Sequence, residues 1–243
     1  MGNYAKCQGS KNCSKCRECD VIKLAVFGAS GNGKDSKKWE EITWKPELHL
    51  SEENNKLGKM WNISLAPVIS CPEGIPCGIC SKGNSPDCYA VKSFIQYPSV
   101  FQAWGDNLTF VKQDMQSFFT EIYNVLKTKK NLKYFRWHVA GDILNQEYLA
   151  HMAIIANLLP KTQFLAFTKK TELDYSNLPA NLVIIASQWG SYQWGNNLPK
   201  AILRATGETW ELTEKQFLCP GSCVNCKQCF QLLEGESVVF DQH

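Results

Sequence analysis

The chain lacks any apolar run approaching the roughly 20 residues needed to span a bilayer, and its mean hydropathy is −0.28 over 243 residues. It also lacks an apolar core near its start: MGNYAKCQGSKNC has none of the features of a signal peptide. Met1-Gly2 invites a myristoylation reading, but Lys6 stands where Ser or Thr is required. A strong charge of one sign is missing as well. Lys and Arg number 26 against 23 Asp and Glu, giving a net charge of +3. The one small basic cluster, Lys127, Lys129 and Lys130, falls at the expected end of a helix, where cations suit the dipole. That reading is preferred to a nucleic-acid footprint. No membrane partner and a cytoplasmic location are therefore expected, in a reducing compartment where thiols stay unpaired.

What the chain has in quantity is cysteine: twelve residues, in three groups of four with none left over. The first group is Cys7, Cys13, Cys16 and Cys19, the second Cys71, Cys77, Cys80 and Cys88, and the third Cys219, Cys223, Cys226 and Cys229. Six disulfides do not suit a reducing compartment, so metal is the expected partner of these thiols. The outer groups each contain C-x2-C-x2-C. Structural zinc usually takes C-x2-C pairs from two separated knuckles, whereas ferredoxin loops use the C-x2-C-x2-C step for 4Fe–4S clusters. Up to three 4Fe–4S clusters are the expected cofactors, with zinc the alternative at each group. The third group also contains C-x3-C-x2-C, the spacing of the catalytic cluster in radical S-adenosylmethionine (SAM) enzymes. Those enzymes carry it near the first strand, and here it follows the last.

The central group sits in CPEGIPCGICSKGNSPDCYA, residues 71–90, whose Gly and Pro content marks a loop. An apolar, β-like stretch precedes it and a helical pattern follows, so the cysteines fall on a strand-to-helix loop, a common place for chemistry in α/β folds. From about 97 to 128 apolar residues recur at three- and four-residue steps, with Pro98 in the first turn. Strand and helix patterns then alternate: strand at Leu132–Val139, helix at Gln146–Leu159, strand at Gln163–Thr168, a short helix at Thr171–Ser176, strand at Leu182–Ser187. Residues 190–218 carry no clear pattern, and ESVVFDQH reads as a last strand. Such alternation predicts a parallel sheet with crossover helices.

Length and order together predict one α/β, TIM-barrel-like core over 21–218, a cysteine-rich arm over 1–20 and a cysteine-rich segment over 219–243. Gly28-Ala29-Ser30-Gly31-Asn32-Gly33-Lys34 fits the glycine and lysine spacing of a P-loop. Asp35 replaces the magnesium-binding Ser or Thr, and no Walker B strand follows, so a turn is expected. Polar residues at successive strand ends make His138, Asp142, Lys169 and Ser187 the candidate catalytic set. For His138 the alternative is a hydrogen-bonded structural role, and for Asp142 a helix cap.

Several motifs then resemble the phage family known as gene product 88. They are Asn55-Lys56-Leu57-Gly58, Cys71-Pro72, Cys88-Tyr89-Ala90 with Tyr97-Pro98, His138-Val139-Ala140-Gly141-Asp142 with Tyr148, Thr168-Lys169, and Leu178-Pro179-Ala180-Asn181. The cysteine-rich tail fits too, and the likeness covers roughly 52–243. The family pattern carries fewer cysteines before Cys-Tyr-Ala, which leaves the central ligands at three or four. The Cys-Tyr-Ala loop also looks like a distant, irregular radical SAM core. That likeness implies a radical-SAM-like partial (β/α) barrel, S-adenosylmethionine at an iron left open by three cysteines, and an electron donor such as a ferredoxin or flavodoxin. With four ligands no iron is open, and the cluster carries electrons or holds structure. The expectation is an iron–sulfur redox or radical-SAM-like enzyme of unknown substrate, in the host cytoplasm if phage-encoded. The alternatives are a non-catalytic electron carrier or binding protein, and a zinc-stapled nucleic-acid-binding module.

Overall fold

The structure is a computed structural model that describes residues 43–54, 56–72, 88–188, 194, 197–204 and 207–241. The N-terminal arm with its four cysteines, the glycine-rich turn at 28–34, and Cys77 and Cys80 lie outside the described residues. The chain divides into two compact units. Among the described residues, the first takes in 43–49, 64–72, 88–118 and Val139–Asp142, and the second those of Leu50–Ile63, Phe119–His138 and Ile143–His243.

The second unit is built on an eight-stranded sheet in the order β1-β2-β3-β4-β5-β6-β8-β7. The strands are β1 Ser51–Asn54, β2 Gly58–Asn62, β3 Tyr134–Arg136, β4 Gln163–Thr168, β5 Leu182–Gln188, β6 Lys200–Arg204, β7 Gln216–Leu218 and β8 Ser237–Asp241. Only the β1–β2 hairpin is antiparallel; the other six pairings are parallel. Apolar runs such as Phe164-Leu165-Ala166 and Ile184-Ile185-Ala186 are buried throughout, as expected where both faces of a parallel sheet are covered. The described strands form an open sheet with β1 and β7 at its edges, so the barrel expected from the sequence is not closed among them. The unpatterned stretch 190–218 supplies β6 and β7, and the last strand, β8, lies between them.

Alternation along β3 divides its side chains between two faces. Phe135 and Trp137 share one face with Phe164, at ring distances of 5.8 and 6.3 Å. There Trp137 meets Phe119, and Phe119 meets Tyr148 edge-on at 4.7 Å. Tyr148 belongs to α4, Gln146–Leu158, which starts where the Asn145 side chain accepts the Tyr148 N–H at 2.9 Å. Asn145, and not Asp142, is therefore the cap of this helix. The opposite face carries Tyr134, Arg136 and Phe167. Residues 171–176 form turns, with the Gln146 amide bridging Asp174 at both its N–H and carbonyl. Lys129 lies over the Trp61 ring at 4.1 Å and Lys127 over Tyr123 at 5.1 Å, so two members of the basic cluster are packed on aromatic rings.

The first unit is helical. It contains α1 Tyr89–Gln96 and α2 Pro98–Gln113, and the chain continues into α3, Met115–Leu126. The sequence pattern suggested one run from about 97 to 128, but Asp114 breaks it with an extended backbone, φ −150° and ψ 91°. Its carboxylate accepts the N–H and hydroxyl of Ser117 at 2.9 and 2.6 Å, which caps α3. Apolar spacing cannot register such a break, because the pattern persists across it. Gly141, with φ +85°, lies against Ser70 and Leu65; an added Cβ would stand 2.6 Å from Ser70 Oγ. Only glycine fits there. No helix among the described residues is long and apolar enough to cross a membrane.

Candidate metal centre

The third cysteine group is fully described, and it sits on the Arg136 face of the sheet. β7 pairs with β8, and the ladder continues as the Cys219 N–H bonds the Val239 carbonyl at 2.8 Å. The chain then turns through Gly221, at φ +80°, and the Cys223 N–H bonds the Lys56 carbonyl at 2.8 Å in the β1–β2 turn. In that turn Gly58 has φ +66°, and a Cβ on it would stand 3.0 Å from Val224 Cγ2. The glycine thus admits the cysteine loop against the hairpin. Lys227 folds back to donate to the Cys223 carbonyl and, at 3.2 Å, to that of Val224. A single 3-10 turn, Gln228–Phe230, carries Cys229 and ends on the buried Phe230, whose ring lies 4.9 Å from Tyr134.

The four thiols are half-buried and feel one another. Burial pushes Cys229 up to about 12; Arg136 opposes this, and Cys223, Cys219 and Cys226 add to it. Cys223 is also raised by burial and by Cys219, and lowered by Arg136, Lys56 and Lys227. Three cations thus act on the group, Arg136 on both of these thiols. The Arg136 guanidinium is fixed by lying 4.1 Å from the Phe167 ring centre and by its Nε–H to the Trp137 carbonyl at 3.1 Å. Lys56 lies 5.6 Å above Phe240, which meets Phe167 edge-on. Burial therefore keeps the bare Cys223 and Cys229 thiols protonated at neutral pH; ligation to a metal is what would ionise them. Thiolates on tetrahedral zinc would stand about 3.8 Å apart, given Zn–S bonds of about 2.3 Å. Among the described residues only Glu47, His49 and Asp106 form a group whose donor atoms all lie within 4.8 Å of one another. No three of the four sulfurs are drawn in so closely.

In the first unit, Cys71 and Cys88 flank the undescribed part of the central loop. Cys71 Sγ accepts the Val68 N–H at 3.4 Å, with Val68 itself at φ +71°. Cys88 opens α1, its carbonyl accepting the Lys92 N–H at 3.1 Å. The next residue, Tyr89, donates its hydroxyl to the Val139 carbonyl, and Ala140 bonds through its carbonyl to the Leu65 N–H at 3.0 Å. These contacts tie Cys-Tyr-Ala to the Val139–Asp142 loop.

Of the candidate catalytic set, His138, Lys169 and Ser187 belong to the second unit and Asp142 to the first. His138 is buried at 3% exposure with φ +54°, and its Nε2 lies 2.8 Å from the Tyr148 hydroxyl. Burial, aided by the Arg136 charge, holds its pKa down to about 3, so the ring is neutral at physiological pH. Burial likewise raises the Tyr148 phenol. His138 Nδ1 and Trp137 Nε1 have no hydrogen-bond partner among the described residues. Asp142 is buried in the first unit. Lys169 and Ser187 are half-buried; Ser187 belongs to β5, where its carbonyl accepts the Trp194 Nε1–H at 3.3 Å. No hydrogen bond joins His138 to Lys169 or Ser187 among the described residues. Tyr148, the actual partner of His138, was visible in sequence only as a family motif residue. Arg136 gave no signal, because its proximity to the cysteines depends on a strand pairing with residues far along the chain.

A mostly parallel sheet, with four half-buried cysteines beside Arg136, Lys56 and Lys227, defines an α/β protein. The chain belongs to the family described as gene product 88, which it matches over residues 30–206. That span contains the central cysteines and the His-Val-Ala-Gly-Asp motif; the first and third cysteine groups fall outside it. No curated protein and no solved structure matches the chain.

Proposed function

We propose that this protein is an iron–sulfur redox protein, with a closed 4Fe–4S centre held by Cys219, Cys223, Cys226 and Cys229. The observation that carries this reading is the set of four half-buried thiols on one sheet face, beside Arg136, Lys56 and Lys227. An all-thiolate donor set suits iron–sulfur and zinc alike; the C-x2-C-x2-C step of Cys223, Cys226 and Cys229 favours the cluster. The cluster would supply one-electron transfer. The chain's own part is to exclude water with Phe230 and Tyr134, fix the loop to Lys56, and set positive charge beside the sulfurs. Four ligands leave no iron open, so this centre carries electrons, exchanged with a small donor of the ferredoxin or flavodoxin class.

The same reading assigns a second cluster to Cys71, Cys77, Cys80 and Cys88 and a third to Cys7, Cys13, Cys16 and Cys19. The radical-SAM-like reading belongs to the central loop, which leads from β2 toward α1. There three ligating cysteines would leave one iron for S-adenosylmethionine. Anaerobic purification with iron, sulfide and zinc analysis tests the whole reading: roughly twelve irons per chain correspond to three cubanes. Stoichiometric zinc without visible absorbance would sink it. Cleavage of S-adenosylmethionine by the reduced protein decides between the radical enzyme and the pure electron carrier.

A further inference from the structure

A second, chemically different site lies in the first unit, where the extended segment 43–49 is laid along α2. The Asn107 side chain holds the backbone of His49 on both sides: its Oδ1 accepts the His49 N–H at 2.7 Å and its Nδ2 donates to the His49 carbonyl at 2.9 Å. Nδ2 also reaches the Ser64 carbonyl at 2.9 Å. Asp106 Oδ1 accepts the Lys45 N–H and the Gln102 amide, both at 2.6 Å. Trp44 closes over Gly105, where an added Cβ would fall 2.0 Å from its ring. These contacts leave Asp106 Oδ2 facing His49 Nε2 at 3.0 Å, with the exposed Glu47 carboxylate beside them; all three donor atoms lie within 4.8 Å of one another.

Among the described residues the charge at this place is unbalanced. The Asp106 side chain is 2% exposed, and its partners are two neutral N–H donors and a histidine that is charged only if protonated. No lysine or arginine among the described residues pairs with it. Burying a carboxylate in that position is unfavourable unless a cation meets it. We propose that Glu47, His49 and Asp106 bind one divalent transition-metal ion. One imidazole nitrogen and two carboxylate oxygens suit Mn2+, Fe2+ or Zn2+, whereas Ca2+ and Mg2+ favour all-oxygen sets. The bonds to Asp106 Oδ1 and to the His49 backbone are the outer contacts that hold metal ligands in place. Glu47 and the 34% exposure of the His49 side chain leave the ion open to solvent, with room for water or a small anionic ligand.

Mn2+ is the probe of choice, because thiolates bind it poorly and the twelve cysteines do not compete. The anaerobically purified full-length protein is titrated with Mn2+ while the electron paramagnetic resonance signal of the aqueous ion is followed. About one Mn2+ per chain should leave the aqueous signal, and Glu47→Gln and His49→Gln should each weaken binding by roughly tenfold or more. Glu47 is exposed, so its substitution leaves the fold intact, as circular dichroism would register. Wild-type protein that leaves the aqueous signal unchanged overturns the proposal, as do variants that bind Mn2+ as the wild type does. Either result would make Asp106 and His49 a clasp for the 43–49 segment only. Neither bears on the cysteine centre.

Discussion

At the scale of single residues, His138 is the position where backbone, burial and charge conflict most. It has a left-handed backbone that a non-glycine residue rarely adopts, and it is buried with one ring nitrogen unpartnered among the described residues. Its folded pKa of about 3 lies below the ordinary value of 6.5. The unfolded chain therefore takes up the proton first, and stability is lost as pH falls from 6.5 toward 3, while above 6.5 it is unaffected. This one group should remove about 2 kcal/mol by pH 5. Denaturant unfolding at pH 7 and pH 5 measures it: the wild type should lose that much more than His138→Gln, which cannot titrate. Equal losses would mean that the ring is solvated in the folded protein. The sequence placed His138 at a strand end but left its orientation open, because alternation fails where the backbone turns left-handed.

At the scale of elements, most strands and helices were legible, and the departures share one cause. β4 and α4 follow from local apolar spacing and from Pro160 after the helix. The break between α2 and α3 at Asp114, and the short β6 and β7, were not legible, since each depends on one polar contact or on strand pairing. Asp142 looked like a helix cap in sequence, yet Asn145 holds that role, three residues nearer the first apolar face. Asn145→Ala should cost about 1 kcal/mol of unfolding free energy, and Asn145→Asp should recover most of it, since a carboxylate also accepts from the Tyr148 N–H. A loss in Asn145→Ala of only a few tenths would mean that the packing of Tyr148 fixes the helix start alone.

At the scale of the whole molecule, the grouping of cysteines is a reading of spacing, while the face that the third group occupies was not legible. The third group reaches Arg136 because β8 inserts between β6 and β7 and because the Cys223 N–H is anchored to Lys56, the latter contact spanning more than a hundred residues. This placement yields a test that separates a redox centre from a structural one. Arg136 is a positioning residue: its stem packs on Phe167, and its charge acts on Cys223 and Cys229. A fixed positive charge favours the more negative, reduced form of a cluster. Arg136→Met keeps the stem packing and removes the charge. If the proposed cluster is held there, it should leave iron and sulfide content unchanged and shift the midpoint potential of that cluster to more negative values. Cys226→Ser, which breaks the closed donor set, should instead lower iron by about four atoms per chain. An unchanged potential in Arg136→Met with full iron content would place the charge too far from the cluster to matter. Iron lost in Arg136→Met would make the arginine a support for the loop and not a control on electron transfer.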